Sequence, residues 1–381
     1  MLLRTICFLT GSRGEWGYIR PILREIEKDP QLSYSIIATH MHLLPEFGMS
    51  VNQIEKDGFF VSEKLYMTLD GYNAVTMTKS LANLLAELPG SFTRLRPDIV
   101  LLAGDRGEQL MGAIAAGHLG IPVAHIQAGE LSGNIDGIVR HSITKLAHIH
   151  FAANQEFADR VLKMGEQDFR VFNTGAPQLD ELVYGIYTDE DTLRQRYRLQ
   201  KDKKLILIVQ HPVTEEEGEA NVQIRETLAA IAKTGVPAIM IYPNADAGSE
   251  LIRSEIAKNR TENIHLFRNL PREDYLGLMR IANVMVGNSS SGLLEAPTFQ
   301  LPAVNIGRRQ KGRPQASNVI NCNYDREEIF NCLNVGLSDE FKLKLKGSVN
   351  PYGDGNSAKR IVQVLKDITI DQRLLNKEMA Y

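Results

Sequence analysis

Residues 284–299, VMVGNSSSGLLEAPTF, contain the pattern that decides the fold class. Three apolar residues end at Gly287, which is typical of a short buried strand followed by a tight turn. Ser289 is a favourable N-cap residue, and the residues after it predict a helix that runs through Leu293 and Ala296. The serines would then surround a helix N-terminus, whose N–H groups and positive dipole end attract phosphate. A phosphate-binding turn is one interpretation, and an ordinary capped helix is the other.

A catalytic serine is disfavoured in the same stretch. The nucleophile motif G-x-S-x-G requires glycines four positions apart, whereas Gly287 and Gly292 are five positions apart. The serine turn is therefore assigned to binding rather than to nucleophilic attack.

Short apolar runs of the same kind alternate with helical patterns along the chain. Continuous apolar strands separated by helices indicate parallel sheets that are covered on both faces. Ten runs are too many for one compact unit of this type, so the sequence predicts two Rossmann-like, doubly wound α/β domains. The runs are RTICFLT, SYSIIATH, PDIVLLAGD, IPVAHIQAG and HIHFAAN, then KLILIVQH, PAIMIYP, NIHLFRN, NVMVGNS and PAVNIG.

A charged segment without a strand pattern separates the two halves between about residues 175 and 203. We therefore predict an N-terminal domain over residues 1–180 and a C-terminal domain over residues 181–355. Residues 356–381 include SAKRIVQVLKDI, whose amphipathic pattern predicts a helix that packs back on the N-terminal domain.

Composition excludes several classes of protein. Of 381 residues, 43% are hydrophobic and 23% are charged, with a net charge of −3, so no basic surface for nucleic acid is expected. No apolar stretch has the length of a membrane span, and the first apolar run is too short for a signal peptide. Cys7, Cys322 and Cys332 are odd in number and widely spaced, which favours a reducing, cytoplasmic setting.

Polar and glycine residues follow nearly every predicted strand. Ligands of doubly wound sheets bind beyond the carboxyl ends of the strands, so this distribution predicts a polar ligand in an interdomain cleft. The basic and hydroxyl groups of the C-terminal domain suit a nucleotide diphosphate, and a nearby acid suits ribose hydroxyls. For the arginines, a solvated charged loop is the alternative. The candidates are His211, Ser289, Ser290, Glu295, Arg308, Arg309 and Arg313.

The N-terminal domain provides acids instead of a dinucleotide-binding G-x-G-x-x-G motif. Carboxylates crowded in a partly dry cleft can have raised pKa values and exchange protons with a substrate. Surface solvation is the alternative for Glu108. His141, His148 and His150 would project in different directions and no H-E-x-x-H motif is present, so we expect no metal. The acid–base candidates are Asp105, Glu108, Glu130, Asp136 and His141, with Arg106 and Arg140 beside them.

Motifs along almost the whole chain are similar to those of a known family. In order, they are G-S-R-G-E-W-G-Y, G-D-R-G-E, A-G-E-L-S-G-N-I-D…R-H-S-I-T-K-L-A-H, H-P-V-T, Y-P-N-A-D-A-G, G-N-S-S-S-G…E, G-R-R-Q-K-G-R and Y-G-D-G-N. On these motifs, the chain resembles the hydrolysing UDP-N-acetylglucosamine 2-epimerases of sialic-acid, legionaminic-acid and related nonulosonic-acid biosynthesis. The resemblance implies a glycosyltransferase-B-like fold and a homo-oligomer, either a dimer or a tetramer. We expect no cofactor.

The resemblance also implies a reaction and its residues. UDP would be eliminated to give a 2-acetamidoglucal, and addition of water would then give the free 2-epimeric sugar. By position, Asp105 and Asp136 match family acids assigned to catalysis, with Glu130 and His141 in the same block. The substrate and UDP contacts assigned with the resemblance are Arg13, Gln127, His211, Asn244, Ser289, Ser290, Glu295, Arg309 and Arg313.

One departure from the family pattern concerns the sugar. Family members that act on UDP-N-acetylglucosamine usually have H-I-E-G-G-E, whereas this chain has H-I-Q-A-G-E with Gln127 in place of the glutamate. A glutamine amide cannot act as a general acid or base. Similar enzymes that use UDP-N,N′-diacetylbacillosamine also vary here. The resemblance therefore leaves two substrates open, which would give N-acetylmannosamine or 2,4-diacetamido-2,4,6-trideoxymannose. Gly137 likewise replaces a second aspartate that often follows Asp136.

Three other functions share part of this pattern. A glycosyltransferase of the same architecture would release little UDP without an acceptor, and a non-hydrolysing epimerase would return a UDP-sugar. A sugar-nucleotide sensor would bind without turnover, and the cluster of acids argues against it.

Overall fold

The computed structural model of the chain describes residues 3–70, 74–132, 135–185, 187–243, 249–268 and 270–380. It has two compact units. The first contains the residues up to Glu181 together with those from Tyr352 onward, and the second is Leu182–Pro351. The predicted divisions, after residues 180 and 355, differ from these by one and four residues.

The first unit is built on a parallel sheet, in which the described residues form seven strands in the order β3-β2-β1-β4-β5-β6-β7. The order reverses between β1 and β4, which is the position where doubly wound folds bind ligands. The strands are β1 (Arg4–Thr10), β2 (Leu32–Thr39), β3 (Glu63–Leu65), β4 (Ile99–Ala103), β5 (Val123–Ile126), β6 (Ile149–Ala152) and β7 (Val171–Asn173). Its helices before the division are α1 (Arg13–Ile26), α2 (Val51–Lys56), α3 (Ala74–Leu95), α4 (Gly107–His118), α5 (Ile135–Leu146) and α6 (Gln155–Lys163).

The second unit repeats this plan, and its described strands number six, in the order β10-β9-β8-β11-β12-β13. Its reversal point lies between β8 and β11. The strands are β8 (Ile206–Val209), β9 (Ala238–Ile241), β10 (Ile264–Phe267), β11 (Val284–Gly287), β12 (Ala303–Ile306) and β13 (Val319–Cys322). The helices are α7 (Asp180–Tyr184), which spans the division, α8 (Glu190–Tyr197), α9 (Ala220–Thr234), α10 (Ser249–Asn259), α11 (Arg272–Ile281), α12 (Ser291–Leu294), α13 (Arg326–Gly336) and α14 (Asp339–Lys344).

The C-terminal segment belongs to the first unit and contains α15 (Ser357–Asp367) and α16 (Gln372–Leu375). Ile361 and Leu365 of α15 are fully buried in the same apolar cluster as Ile19 and Ile22 of α1. Asp180 accepts hydrogen bonds from the N–H groups of Ser357 and Ala358 at 3.0 and 2.6 Å, which satisfies two donors at the start of α15.

The predicted fold class is confirmed, since both units are doubly wound α/β structures with parallel strands. All ten predicted strands are present. Sequence reasoning missed β3, β7 and β13, which are sheet-edge strands of three or four residues with partly exposed side chains. Their apolar runs are too short to give a periodic signal. Among the helices in the described ranges, none has the length and apolar character needed to span a membrane.

Candidate functional site

The turn after β4 lies at the reversal point of the first sheet and carries Asp105. Gly104 has a φ of +93°, a backbone conformation that favours glycine. The carbonyl oxygen of Gly104 is 2.8 Å from Nε2 of the fully buried His125, so this imidazole donates from Nε2. Burial lowers the pKa of His125 to about 3, which keeps the ring neutral. His125 therefore fixes the turn that presents Asp105, a role that sequence reasoning missed.

Asp105 is held by an ion pair with Arg140 of α5. The Arg140 side chain is only 3% exposed, whereas that of Asp105 is 23% exposed. Ser132 joins the two groups, because its hydroxyl lies 3.4 Å from Oδ2 of Asp105 and accepts from Nη1 of Arg140 at 2.9 Å. A buried arginine thus holds a carboxylate that stays accessible to solvent.

Two further charges act on Asp105. Burial raises its pKa above the ordinary aspartate value, Arg140 opposes this rise, and the charge of Asp136 adds to it. Arg106 also interacts electrostatically with both aspartates. The structure therefore brings Asp105 and Asp136 together with Arg106 and Arg140. A carboxyl group with a raised pKa and a second acid nearby can take up and return protons.

Gln127 and Glu130 form a second group at the carboxyl end of β5. Gln127 has a φ of +65°, although it is not glycine. Its amide nitrogen donates to the Tyr18 hydroxyl at 3.0 Å and to Oε2 of Glu130 at 3.3 Å. Gln127 and Glu130 are both buried. Gln127 therefore positions Glu130 through its N–H donors. Tyr18 belongs to the motif G-S-R-G-E-W-G-Y, but its contact with Gln127 was not predicted.

His141 has a different environment. It follows Arg140 on α5, and burial lowers the pKa of His141, with Arg140 and Arg160 of α6 adding to the effect. Its imidazole is therefore mainly neutral at pH 7. Its Nδ1 is buried and has no hydrogen-bond partner among the described residues. The catalytic role assigned to His141 stays a prediction.

Glu108 is not a surface residue, so the solvated interpretation was wrong. It is 2% exposed, and its Oε1 lies 2.5 Å from Nδ1 of His40 and 3.3 Å from Nε of Arg106. Burial opposes its ionisation, but the His40 hydrogen bond and the Arg106 charge lower the pKa of Glu108. Burial and the charge of Glu108 raise the pKa of the neighbouring Glu15. His40 lies in no quoted motif, and the interaction of Glu15 with Glu108 was not predicted although Glu15 belongs to the motif G-S-R-G-E-W-G-Y, because these residues come from separate elements.

In the second unit, the turn after β11 is clamped to the turn after β8. Oδ1 of Asn288 accepts from the His211 N–H at 2.7 Å, and Nδ2 of Asn288 donates to the His211 carbonyl at 2.8 Å. The Asn288 carbonyl accepts from Gln310 at 2.9 Å and from Arg309 at 3.3 Å. Three predicted segments, around residues 211, 288 and 309, are therefore joined at the reversal point of this sheet.

The serine turn differs in detail from the prediction. Ser290, not Ser289, is the N-cap residue, and α12 is a single turn that ends at Leu294 before a 3-10 turn, Ala296–Phe299. The Ser289 hydroxyl accepts from the Ser291 N–H at 3.3 Å. Pro297 explains the short helix, because proline lacks an N–H donor and clashes with the preceding turn. Anion binding here would depend on hydroxyl and N–H groups more than on a long helix dipole.

Glu295 follows α12 and is also paired with a cation. Its Oε1 accepts from Nη2 of Arg272 at 2.7 Å, and the residue is 8% exposed. Arg308 is exposed and forms an ion pair with Glu216. Arg313 is partly exposed, and its N–H donates to the Gln310 carbonyl at 3.2 Å. Arg272 was missed because it begins α11, whose sequence contains no motif.

Two predicted UDP contacts are not among the described residues of the second unit. Arg13 belongs to the first unit, at the start of α1, where it donates to the Phe47 carbonyl at 3.2 Å. Asn244 lies outside the described residues. Within the described ranges, no group of three or more His, Cys, Asp or Glu side chains could hold a metal ion.

The sequence profile of the UDP-N-acetylglucosamine 2-epimerase family matches residues 24–366. The chain is 37% identical, over the full length of both proteins, to the UDP-N,N′-diacetylbacillosamine 2-epimerase (hydrolyzing) of Legionella pneumophila. It is 30% identical to a UDP-N-acetylglucosamine 2-epimerase of Neisseria meningitidis, with 96% of each chain covered. The chain belongs to the hydrolysing UDP-N-acetylglucosamine 2-epimerase family. The resemblance predicted from its motifs is therefore confirmed.

The fold of this epimerase agrees with solved structures of the family. A crystal structure of UDP-GlcNAc 2-epimerase from Neisseria meningitidis, bound to UDP-GlcNAc, superimposes with a TM-score of 0.81 at 21% identity. The match covers 95% of this chain and 99% of that chain. The glycosyltransferase-B-like fold is confirmed by this similarity.

Proposed function

We propose that this epimerase converts UDP-N,N′-diacetylbacillosamine to UDP and free 2,4-diacetamido-2,4,6-trideoxymannose. The relative that carries this substrate in its name is 37% identical over its full length, whereas the Neisseria relative named for UDP-N-acetylglucosamine is 30% identical. The observation that carries the chemistry is the pairing of Asp105, with its raised pKa, to Arg140 beside Asp136. A role in a legionaminic-acid type pathway follows from the same proposal.

The proposed reaction has two steps. A carboxylate of the Asp105–Asp136 pair removes the C2 proton while the C1–O bond breaks, which releases UDP and leaves a C1–C2 double bond. Water then adds its hydroxyl to C1, and a proton returns to C2 from the opposite face, which inverts C2. Two acids with unequal environments suit these two reaction steps, because one acid must accept a proton and the other must donate one.

UDP is assigned to the second unit in this proposal. Ser289 and Ser290 offer hydroxyl and N–H donors to the diphosphate, and Arg309 and Arg313 offer positive charge. Glu295 is assigned to the ribose hydroxyls, with Arg272 holding its carboxylate at 2.7 Å. His211, Asn244 and Arg13 complete the proposed UDP contacts, and His141 and Glu130 stay assigned to the acid–base group.

Proton NMR in deuterated water tests this function directly. The enzyme is incubated in separate tubes with UDP-N,N′-diacetylbacillosamine and with UDP-N-acetylglucosamine. Free 2-epimeric sugar with deuterium at C2, formed together with UDP and faster from the first substrate, is the expected result. A UDP-sugar epimer as product would instead identify a non-hydrolysing epimerase, and UDP release only with an added acceptor would identify a glycosyltransferase.

The pH dependence of kcat/KM should report the Asp105 environment. The carboxylate form must accept a proton, so activity is present above the Asp105 pKa and is lost as pH falls through it. On the acidic side of the profile of kcat/KM against pH, here called the acidic limb, activity falls with decreasing pH. Because burial raises the Asp105 pKa, the midpoint of this limb should lie above the ordinary aspartate pKa of about 3.9. Arg140→Met should move the limb to higher pH, since Arg140 lowers the Asp105 pKa, whereas Arg140→Lys should move it less. A limb that moves to lower pH in Arg140→Met would contradict the assignment.

Gln127→Glu should change the preference between the two UDP-sugars. The new carboxylate would lie near Oε2 of Glu130, which the Gln127 amide now contacts at 3.3 Å, so the two acids could not both ionise freely. We expect the ratio of kcat/KM values for the two substrates to shift by about fivefold or more, which corresponds to about 1 kcal/mol. Gln155→Glu is the control, because Gln155 contacts Asp159 at 2.7 Å on the exposed side of α6. Equal ratios in wild type and Gln127→Glu would make Gln127 a neutral substitution.

A cytoplasmic setting and a homo-oligomer are part of the same proposal. Cys7, Cys322 and Cys332 are all free thiols, which suits a reducing compartment. The oligomer is supported by the family resemblance, and a monomeric mass in solution light scattering would overturn it.

A further inference from the structure

The C-terminal segment reaches the far end of the helix that carries the proposed acid–base residues. This helix, α5, has Asp136 in its first turn and Arg140 and His141 in its middle. At its other end, the ammonium group of Lys377 donates to the carbonyl oxygens of Thr144 and Lys145, each at 2.8 Å. It also donates to the Ala147 carbonyl at 2.7 Å. Lys377 therefore caps carbonyls that the helix itself leaves without partners.

Buried charges fix Lys377 in this position. Its side chain is 15% exposed and lies 2.7 Å from Oε2 of Glu166, whose side chain is fully buried. Nε2 of the fully buried His150 on β6 is 3.0 Å from the same oxygen, and Lys145 of α5 is 3.2 Å from Oε1. Burial lowers the pKa of Lys377 to about 8, while Glu166 acts to raise it, so the ammonium form predominates at pH 7. The other charged or titratable groups that act on it are Arg170 and His148.

A second buried cation anchors the segment just before Lys377. The Arg170 side chain donates to the carbonyls of Leu374 at 2.6 Å, Arg373 at 2.8 Å and Asn376 at 3.2 Å. Leu374 itself is 1% exposed in the apolar core of the first unit. The backbone on the N-terminal side of Lys377 is thus fixed to the sheet, and the lysine links this fixed point to the end of α5.

We propose that Lys377 is a positioning residue for the reaction, because it fixes α5 and through it the Arg140–Asp105 ion pair. This inference rests on the proposed function, in which Asp105 and Asp136 exchange the substrate protons. The middle of α5 contacts Asp105 through Arg140, and the C-terminal end of the helix is held by Lys377. A small rotation or shift of the helix would alter both contacts, and misplacement by about 1 Å can lower rates about a hundredfold.

Lys377→Met tests the inference, with Lys366→Met as the matched control. Lys366 lies in the same C-terminal segment and pairs with Asp29 at 2.7 Å, but it contacts no residue of α5 among its described partners. We expect Lys377→Met to lower kcat by about tenfold or more, with a smaller change in KM. Its acidic limb should move to higher pH, as in Arg140→Met, because Asp105 loses part of the cation that lowers its pKa. Lys377→Arg should restore most of the activity.

The outcomes separate this inference from the proposed function. Lys366→Met should keep the wild-type kcat and acidic limb even if its melting temperature falls. If Lys377→Met matches Lys366→Met in both properties, the positioning role is overturned, while the proposed function stands. If the wild-type protein releases no free 2-epimeric sugar from either UDP-sugar, the proposed function fails instead, and normal turnover in both Asp105→Asn and Asp136→Asn would remove the acid–base roles on which the inference rests. Should Lys377→Met not fold, Lys377→Gln, which is neutral and shorter than lysine, is compared with Lys366→Gln in kcat and in the acidic limb, and equal values in both properties would overturn the positioning role.

Discussion

Asp105→Asn should lower the rate of UDP release by about 100- to 10,000-fold, the usual range for loss of a general acid or base. An asparagine amide keeps the size of the side chain and an oxygen for Arg140, but it cannot accept a proton at neutral pH. Asp136→Asn should have an effect of similar size, because the proposed mechanism needs both acids. Turnover is measured as UDP released, with each of the two UDP-sugars.

A matched control separates chemistry from folding in this experiment. Asp98→Asn makes the same substitution at the opposite, amino-terminal end of strand β4, where Asp98 accepts from the Thr5 N–H at 2.8 Å. We expect it to affect stability slightly and turnover little. All three variants should keep the wild-type circular dichroism spectrum. Near-normal turnover in both site variants would remove Asp105 and Asp136 from the proton-transfer roles.

The sequence predicted the sheet-forming parts of the fold because long apolar runs carry their own signal. Val100, Leu101 and Leu102 of β4, for example, are all fully buried, and a continuous run of this kind specifies a central parallel strand. The edge strands β3 and β13 contain polar and exposed residues, so their strand conformation depends on the neighbouring strand. Such pairing is a tertiary effect that local patterns do not contain.

The sequence predicted those candidate site residues that come directly after a strand. Asp105 and the serine turn were chosen as candidates because glycine turns after strands mark ligand positions in this fold, and the structure places both turns at the carboxyl ends of β4 and β11. The contacts of His125, Tyr18 and Arg272 were not predicted, because each joins two residues that lie more than twenty positions apart in the sequence. Surface solvation stayed open as an alternative for Glu108 for a related reason: its partner His40 lies 68 positions earlier in the chain, on a different element. Pairing of buried charges is decided by topology rather than by spacing.

Gly287→Ala should destabilise the second unit by about 3 kcal/mol or more, because two effects combine at this position. Gly287 has a φ of +132°, which side-chain-bearing residues rarely adopt. A Cβ atom there would lie 2.1 Å from the Val209 carbonyl oxygen and 2.6 Å from its carbon, and these atoms belong to the neighbouring strand β8. Backbone atoms in a central strand cannot move aside without breaking the sheet pairing.

Gly287→Ala should also weaken substrate binding, since Gly287 directs the chain into the serine turn and into the hydrogen-bonded pair Asn288–His211. We expect either loss of folded protein or a variant with a lower melting temperature and a KM raised by about tenfold or more, which corresponds to about 1.4 kcal/mol of binding. Gly218→Ala is the control, because a Cβ atom there would meet no atom within 4 Å. Thermal unfolding and UDP-release kinetics of the two variants provide the comparison. A Gly287→Ala protein with wild-type stability and KM would show that the turn after β11 tolerates another geometry and that its tight shape is not required to hold the diphosphate.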